Sequence, residues 1–496
     1  MSAVLEHGQT ATAVETLDEV DLLEQIINEG RIGRDDEQRE QSRCQIATLV
    51  DEVLKGEVRV SRDLESTITA RIADIDALLS RQLNAILHAP AFQRLEASWR
   101  GLHYLVQQTE TSPMLKLRVL NVSKQDLAKD LEKASEFDQS ALFKKVYEEE
   151  YGTFGGSPIG ALIGDYELSR HPQDLALLEK VSNVAAAAHA PFIAATSPQL
   201  FNLDSFTDLG QPRELAKIFE TVEYAKWKSF RASEDARYVA LTLPHILMRL
   251  PYGPDTVLVE AFQFTEDVDG TEHRKYLWGN AAYALGVRLT TAFARYGWCT
   301  AIRGVEGGGL VEGLPVHTFA TDDGEVALKC PTEVAITDRR EKELADLGFI
   351  PLVHCKGRDV AAFFSLQTPQ KAKKYDTDAA NANARLATQF PYILAVSRFA
   401  HYLKAMMRDK IGSFMSAADV STYLNRWINT YTMGRDDAGQ DLKAQYPLRE
   451  ARVDVTEIPG KPGCYRAVVF LRPHFQLDEL TISLRLVAEL PPPAGG

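Results

Sequence analysis

Chemistry needs a nucleophile, a proton carrier, a metal-ligand set or a phosphate cradle, and this chain offers fragments of each. The densest glycine cluster, residues 304–313, reads G-V-E-G-G-G-L-V-E-G. A phosphate loop of the form G-x-x-x-x-G-K-[S/T] needs a Lys-Ser or Lys-Thr pair at its end, and none follows. Aligned as a dinucleotide fingerprint from Gly307, its final position is Glu312, a carboxylate where a pyrophosphate would sit. Ser157 lies in Gly155-Gly156-Ser157-Pro158, which is not G-x-S-x-G, and Pro158 removes an N–H that an oxyanion hole would use. The eleven histidines contain no H-E-x-x-H or H-x-x-x-H pairing. His354 and Cys355 are adjacent, so on a strand they point to opposite faces, and nothing in the sequence supplies Cys355 with a base. Lys371, Lys373 and Lys374 read as a solvated face. The residues therefore predict no catalytic centre, no cofactor and no metal, with 304–313 a structural loop and 155–158 a turn into a strand.

The bulk properties narrow the class further. A net charge of −14 argues against a nucleic-acid partner. No apolar run is long enough for a membrane span, and the first residues carry no basic, apolar leader pattern. Five scattered cysteines without a C-x-x-C fit a reducing compartment, so a cytoplasmic location is expected. At 496 residues the chain should hold two to four domains.

The elements read as mixed α/β. Residues 1–60 form an arm, in which Thr16-Leu17-Asp18-Glu19 has the form of a capping box and Gly30 suits a helix stop. Between them Leu17, Val20, Leu22, Leu23, Ile26 and Ile27 make an apolar face that one short helix cannot bury by itself. That helix either docks on its own domain or offers itself to a partner's groove. A second helix spans 35–55, and a third, 63–87, carries the stripe Leu64, Ile68, Ile72, Ile75, Leu79, Leu83, Ile86, expected to be core. A fourth covers 91–106. Residues 115–122 alternate as a strand, and Ser123 opens a further helix. Strands are predicted at 159–166, 192–195, 238–243, 298–303 and 349–353, and helices at 172–188, 276–296 and 338–347. The segment 159–195 is a strand–helix–strand unit, most economically parallel and right-handed. The block from 378 to 411, with a kink at Pro391, and 417–431 are helical.

The C-terminal stretch 449–490 reads as three strands. Ala451, Val453 and Val455 alternate with Arg452, Asp454 and Thr456. Pro459-Gly460-Lys461-Pro462-Gly463 reverses the chain. Tyr465, Ala467, Val469 and Leu471 share one face, and Leu480, Ile482, Leu484 and Leu486 share another in the third run. Three strands this close to the terminus leave a sheet edge that something must cover or pair with. The pattern alone leaves open a meander capping its own domain or strand addition between subunits.

Several blocks together resemble one family, the large subunit of the contractile sheath of bacterial type VI secretion systems (TssC, VipB or EvpB type). They are P-A-F-Q-R-L-E-A-S-W-R-G-L from Pro90, Y-G-T-F-G-G-S-P-I-G-A-L-I-G-D-Y from Tyr151 and Y-G-W-C-T-A-I-R-G-V-E-G-G-G from Tyr296. C-P-T-E-V-A-I-T-D-R-R-E from Cys330 and the run from Pro459 to Leu490 complete the set. The resemblance implies a multi-domain contractile tail-sheath-like fold, with 61–380 as middle and outer domains and 381–496 as an inner domain whose C-terminal strands are shared between subunits. The shared sheet would include Val453, Val455, Tyr465, Val469, Leu471, Ile482, Leu484 and Leu486. It implies as partners a small sheath subunit (TssB/VipA type), further copies of this chain in a helical sheath, an inner-tube protein (Hcp type), a baseplate and a AAA+ recycling ATPase (ClpV type). That ATPase would bind the helix bearing Leu17, Val20, Leu22, Leu23, Ile26 and Ile27. By position, Lys404, Arg408, Lys410, His474, Asp478 and Glu479 are candidates for touching the inner tube. The alternatives are an α/β hydrolase or nucleotide-using enzyme built on 304–313 or Ser157, and an oligomeric scaffold that does not contract.

Overall fold

The computed structural model describes residues 35–55 and 64–476, apart from 212, 322, 436, 462 and 475. The N-terminal apolar helix, its capping box and the third C-terminal strand, with Ile482, Leu484 and Leu486, lie outside those residues. The chain divides into two compact units, one made of its N-terminal part to Ala85 with Val259–Thr265, the other of Ile86–Leu258 and everything from Glu266.

The first unit holds helix α1, Asp36–Leu54, and most of α2, Leu64–Leu87. Asp35 caps α1 by accepting the N–H of Gln38, which satisfies one of the orphan donors of the first turn. Arg71 on α2 donates to Glu52 on α1 at 2.6 Å. The α2 stripe is a correction to the expectation of a core: Ile68, Ile72, Ile75 and Leu79 are 42–54% exposed. Helical spacing of apolar residues states that a face wants cover, not that the same chain supplies it.

The second unit is built around a six-stranded sheet. Helix α3, Pro90–Gln107, starts with a proline in its first turn, and α4, Lys124–Lys133, is capped by Ser123 as expected. The sheet comprises β1, Leu162–Leu168, β2, Phe192–Thr196, β3, Val239–Leu243, β4, Leu310–Val311, β5, Ile350–His354, and β6, Ala361–Phe363, in the order β1-β2-β3-β5-β6-β4. β1, β2, β3 and β5 pair in parallel, and β6 and β4 close the edge antiparallel. Helix α5, Pro172–Ala188, crosses between β1 and β2, which completes the predicted strand–helix–strand unit. Phe192, Ala194, Val239 and Leu241 face one core with α5. Ile193, Ala240, Ile350 and Leu352 face a second core with helix α6, Ala282–Tyr296. Burial on both faces is why these strands read as continuous apolar runs. Gly101 on α3 lies where any Cβ would overlap the ring of Tyr283, so glycine sets how closely α3 approaches α6. Helix α7, Asp338–Asp346, precedes β5.

Four predicted elements are redrawn. Residues 115–122 form no strand; apart from a bridge between Ser112 and Leu115 they make no β-bridge among the described residues, and Val119 and Leu120 are 70% and 52% exposed. Residues 298–303 form a loop whose alternation reports two anchors, Trp298 in the C-terminal core and Ile302 in the core beneath the sheet. The helix expected from 276 begins at Ala282. The 378–411 helix is two helices, α8, Asp378–Leu386, and α9, Phe390–Asp409. The backbones of Thr388 and Phe390 bond to Thr368 and Leu366, which breaks the helical ladder, and Pro391 sits in the first turn of α9, where a missing N–H does no harm.

Beyond α9 come α10, Ala417–Asn429, and the strands β7, Leu448–Glu457, and β8, Tyr465–Pro473. Among the described residues, no helix is long and apolar enough to cross a membrane.

Candidate assembly surface: the C-terminal hairpin

β7 and β8 pair antiparallel from Leu448↔Pro473 to Glu457↔Tyr465. Gly460 and Gly463 take positive φ of 79° and 77° in the connection, which side chains with a Cβ rarely adopt. The loop is closed by the Ile458 N–H donating to the Cys464 carbonyl at 2.9 Å.

One face of the hairpin packs on α9 and α10. Val453 is fully buried there with Trp298, Phe399, Val420, Leu424, Ile428 and Leu448, and Ala451, Val455, Tyr465, Val469 and Leu471 pack against the same core. Trp298 and Phe399 stack at 4.3 Å between ring centres. Of the side chains expected in a shared sheet, the five among the described residues are thus committed to this chain's own core, and along its edges the hairpin offers backbone. On the opposite face Val468 and Phe470 are 46% and 51% exposed, with the Arg452 guanidinium 4.8 Å from the Phe470 ring.

The two outer edges differ. Asn425 on α10 accepts the N–H of Val453 at 2.9 Å and donates its amide to the Val453 carbonyl at 2.7 Å; the Ser421 hydroxyl donates to the same carbonyl at 3.1 Å. The carboxamide therefore stands where a neighbouring strand's peptide would, and it closes the β7 edge at that point. Because Val453 turns its backbone groups outward to Asn425, its partner Val469 turns its own to the far side of β8. By the same alternation Ala467 and Leu471 do so too, and among the described residues no bond is made to those outward groups. Among the described residues the hairpin therefore has one edge closed at Val453 and one edge left unbonded.

Asn425 was not flagged from sequence. Its signal is a carboxamide on α10 one residue past Leu424, in line with Ser421 and Ile428, the face turned to β7. Asn425→Ala should destabilise the core beneath the hairpin by about 1–3 kcal/mol, since it strands the N–H of a buried residue and leaves its carbonyl only the Ser421 hydroxyl. Thermal melting of the variant against the parent measures this, and an unchanged midpoint would show that water replaces the amide.

The residues proposed by position for an inner tube are placed as follows. Lys404 lies 3.6 Å from the centre of the Tyr151 ring and donates to the Tyr147 hydroxyl at 3.2 Å. Arg408 donates to the carbonyls of Thr153 and Tyr151 at 2.6 and 2.7 Å. Lys410 sits over Tyr423 at 4.8 Å. The His474 N–H donates to the Pro447 carbonyl. Asp478 and Glu479 lie outside the described residues. Lys404 and Arg408 thus tie α9 to the segment 147–153.

The glycine loop 304–313 uses its backbone internally. The Gly304 N–H donates to the Phe363 carbonyl at 2.7 Å, the Gly309 N–H to the Gly304 carbonyl at 2.8 Å, and the Phe363 N–H to the Gly309 carbonyl at 3.0 Å. Donors spent this way are not a phosphate cradle. The Ser157 N–H is held by the Glu150 carboxylate. Among the described residues, no cluster of His, Cys, Asp and Glu could hold a metal ion.

Two family models match the chain: "EvpB/VC_A0108, tail sheath N-terminal domain" over residues 69–370 and "EvpB/VC_A0108, tail sheath gpW/gp25-like domain" over 379–490. A relative, the type VI secretion system sheath protein TssC1 of Pseudomonas aeruginosa PAO1, is 51% identical over 456 residues, 91% of this chain and 92% of that protein. Two solved structures show a partial likeness: the contracted helical sheath of the anti-feeding prophage (12% identity, 62% of this chain and 66% of that one, TM-score 0.31), and the contracted sheath complex of the extracellular contractile injection system PVC (10%, 62% and 68%, TM-score 0.32). With both halves matched and half the residues identical across nine-tenths of the length, this chain belongs to the EvpB/VipB family of type VI secretion tail-sheath proteins.

Proposed function

We propose that this chain is the large subunit of a contractile sheath, which pairs with a small sheath subunit, stacks helically around an inner tube and shortens to drive that tube outward. The observation that carries the reading is the asymmetric hairpin: among the described residues, a two-stranded sheet with the β7 edge closed by Asn425 and the β8 edge unbonded, where a strand from another subunit would add. Main-chain bonds contribute about 0.5–1.5 kcal/mol each, so a few per protomer, repeated along a filament, make a tether that survives sliding. The exposed α2 stripe supports a second subunit as its cover. Shortening then needs no bound cofactor, because the free energy lies in the difference between two packings of the same subunits.

Negative-stain microscopy of the chain prepared with and without the small subunit of the same secretion system tests the reading. Hollow tubules that require both chains are expected; a monomer indifferent to its partner would overturn it. The inner-tube, baseplate and recycling-ATPase contacts belong to the same proposal. For the ATPase, Leu23→Asp with Ile27→Asp should leave tubules intact and block their dismantling, and unaltered dismantling would remove that helix from the recognition site.

A further inference from the structure

We propose that the junction between the two family domains is an acid-labile joint, in which protonation of a buried histidine pair releases α9 from the end of α5 and from the segment 147–153. α9 belongs to the domain matched at 379–490, whereas α5 and 147–153 belong to the domain matched at 69–370. The two histidines meet across that boundary. His189 ends α5 in the left-handed region, at φ 50°, and His401 lies on α9, with the ring centres 6.2 Å apart. The Tyr151 ring packs against both, 5.2 Å from His401 and 6.0 Å from His189. His401 is 3% exposed. Its Nε2 lies 2.9 Å from the Ala188 carbonyl, and a carbonyl only accepts, so Nε2 carries the hydrogen. Nδ1 is buried and has no partner among the described residues, so a second proton would create a buried donor without an acceptor. The His189 Nδ1 lies 3.2 Å from the Tyr238 hydroxyl.

The charges around the pair are mostly cationic. α9 contributes Arg398, Lys404 and Arg408. The Lys404 ammonium already sits 3.6 Å from the centre of the Tyr151 ring, the surface that would otherwise receive a new cation. The segment 147–153 contributes Tyr147 and Tyr151, and ahead of β3 stands Tyr238, which Arg237 and Asp235 face in turn. Two carboxylates, Glu150 and Asp409, line a cleft of about 320 Å³ that reaches His401 and gives water a way in. Glu150 is held by Arg118 and by the Ser157 N–H, and among the described residues neither carboxylate bonds to an imidazole. Burial, with Lys404 beside it, pushes both imidazoles below their ordinary range, and His401 is held down at about 4 against its bond to Ala188. A histidine that the fold keeps neutral leaves stability whole above its ordinary value near 6.5, and stability is lost as pH falls from there toward about 4. From His401 alone, opening of the joint should be roughly 30-fold more favourable at pH 5.0 than at pH 7.5.

The test is hydrogen–deuterium exchange of the full-length chain at pH 7.5 and pH 5.0, read by peptide mass spectrometry and corrected for the intrinsic exchange rate at each pH. Opening of α9 and of the helical turns Lys144–Tyr151 should rise roughly 30-fold at pH 5.0, while β2 and β3 keep their protection. His401→Gln keeps an amide donor for the Ala188 carbonyl and takes up no proton, so it should remove most of that rise. His189→Asn, a residue that tolerates the left-handed region, should remove the remainder when added. A histidine that only filled space would loosen the joint equally at both pH values when replaced. Variants as pH-sensitive as the wild type would therefore overturn the proposal. So would a wild-type α9 whose protection is unchanged at pH 5.0, or falls only together with that of β2 and β3. The wild-type comparison alone decides if the variants do not fold.

Discussion

Ala467→Pro should abolish tubule assembly while leaving the chain folded. Ala467 pairs with Val455, two residues along from the Val453↔Val469 pair, so its N–H points out of the hairpin on the open β8 side. Its side chain is exposed, so the substitution removes little packing. Proline deletes one outward donor and sets its ring against any strand that tries to dock, and edges are the positions in a sheet where proline is tolerated. The thermal midpoint should fall by no more than a few degrees, whereas filaments should disappear from micrographs. Val468→Pro is the matched control: Val468 pairs with Asp454, and its N–H belongs to the hairpin's own ladder. That change should lower the melting temperature as well as assembly. Normal tubules from Ala467→Pro would place the shared strand elsewhere.

His245→Ala should destabilise the large unit by roughly 3 kcal/mol near pH 6 and by much less near pH 10. The imidazole is largely buried, with Nδ1 on the Glu333 carboxylate and Nε2 2.9 Å from Glu167. Glu333 also accepts from His273 and the Ser205 hydroxyl, both at 3.1 Å, and Phe206 packs against the His245 ring. Removing the imidazole leaves the buried Glu333 charge short of a partner; Glu167 is half-exposed and water takes up most of its loss. Burial works against the charged imidazole, but the two carboxylates prevail and hold His245 up at about 10, while Glu333 is held down at about 2.

The sign follows from the linkage between protonation and folding. A raised histidine stabilises fully below its ordinary value near 6.5 and loses that contribution as pH climbs through about 10. The depressed glutamate stabilises above its ordinary value near 4.5 and loses that contribution as pH falls through about 2. The wild type should therefore gain most over the variant between about pH 4.5 and 6.5. Melting both proteins at pH 6 and pH 9.5 measures it; an equal gap at the two values would mean that His245 acts by packing alone.

Much of this was legible from sequence because it is local. Alternation assigned Val453, Val455, Val469 and Leu471 to one face of two strands, and Pro459 to Gly463 to the turn between them. Apolar runs with a helix between them marked β1, α5 and β2, and the spacing within 304–313 argued against a phosphate loop before its donors could be traced. Period and turn chemistry belong to neighbouring residues, so one dimension is enough to read them.

What the tertiary structure decided are pairings across long stretches of chain. Period 2 tells which side chains share a face but not which edge of a strand is covered; the edge depends on Asn425, which reaches β7 from a helix 28 residues earlier. The same limit hid the meeting of His245 with Glu167 and Glu333. It also made the α2 stripe read as core, since a helix states that its face must be buried and only the assembled chain reveals whether its own residues bury it.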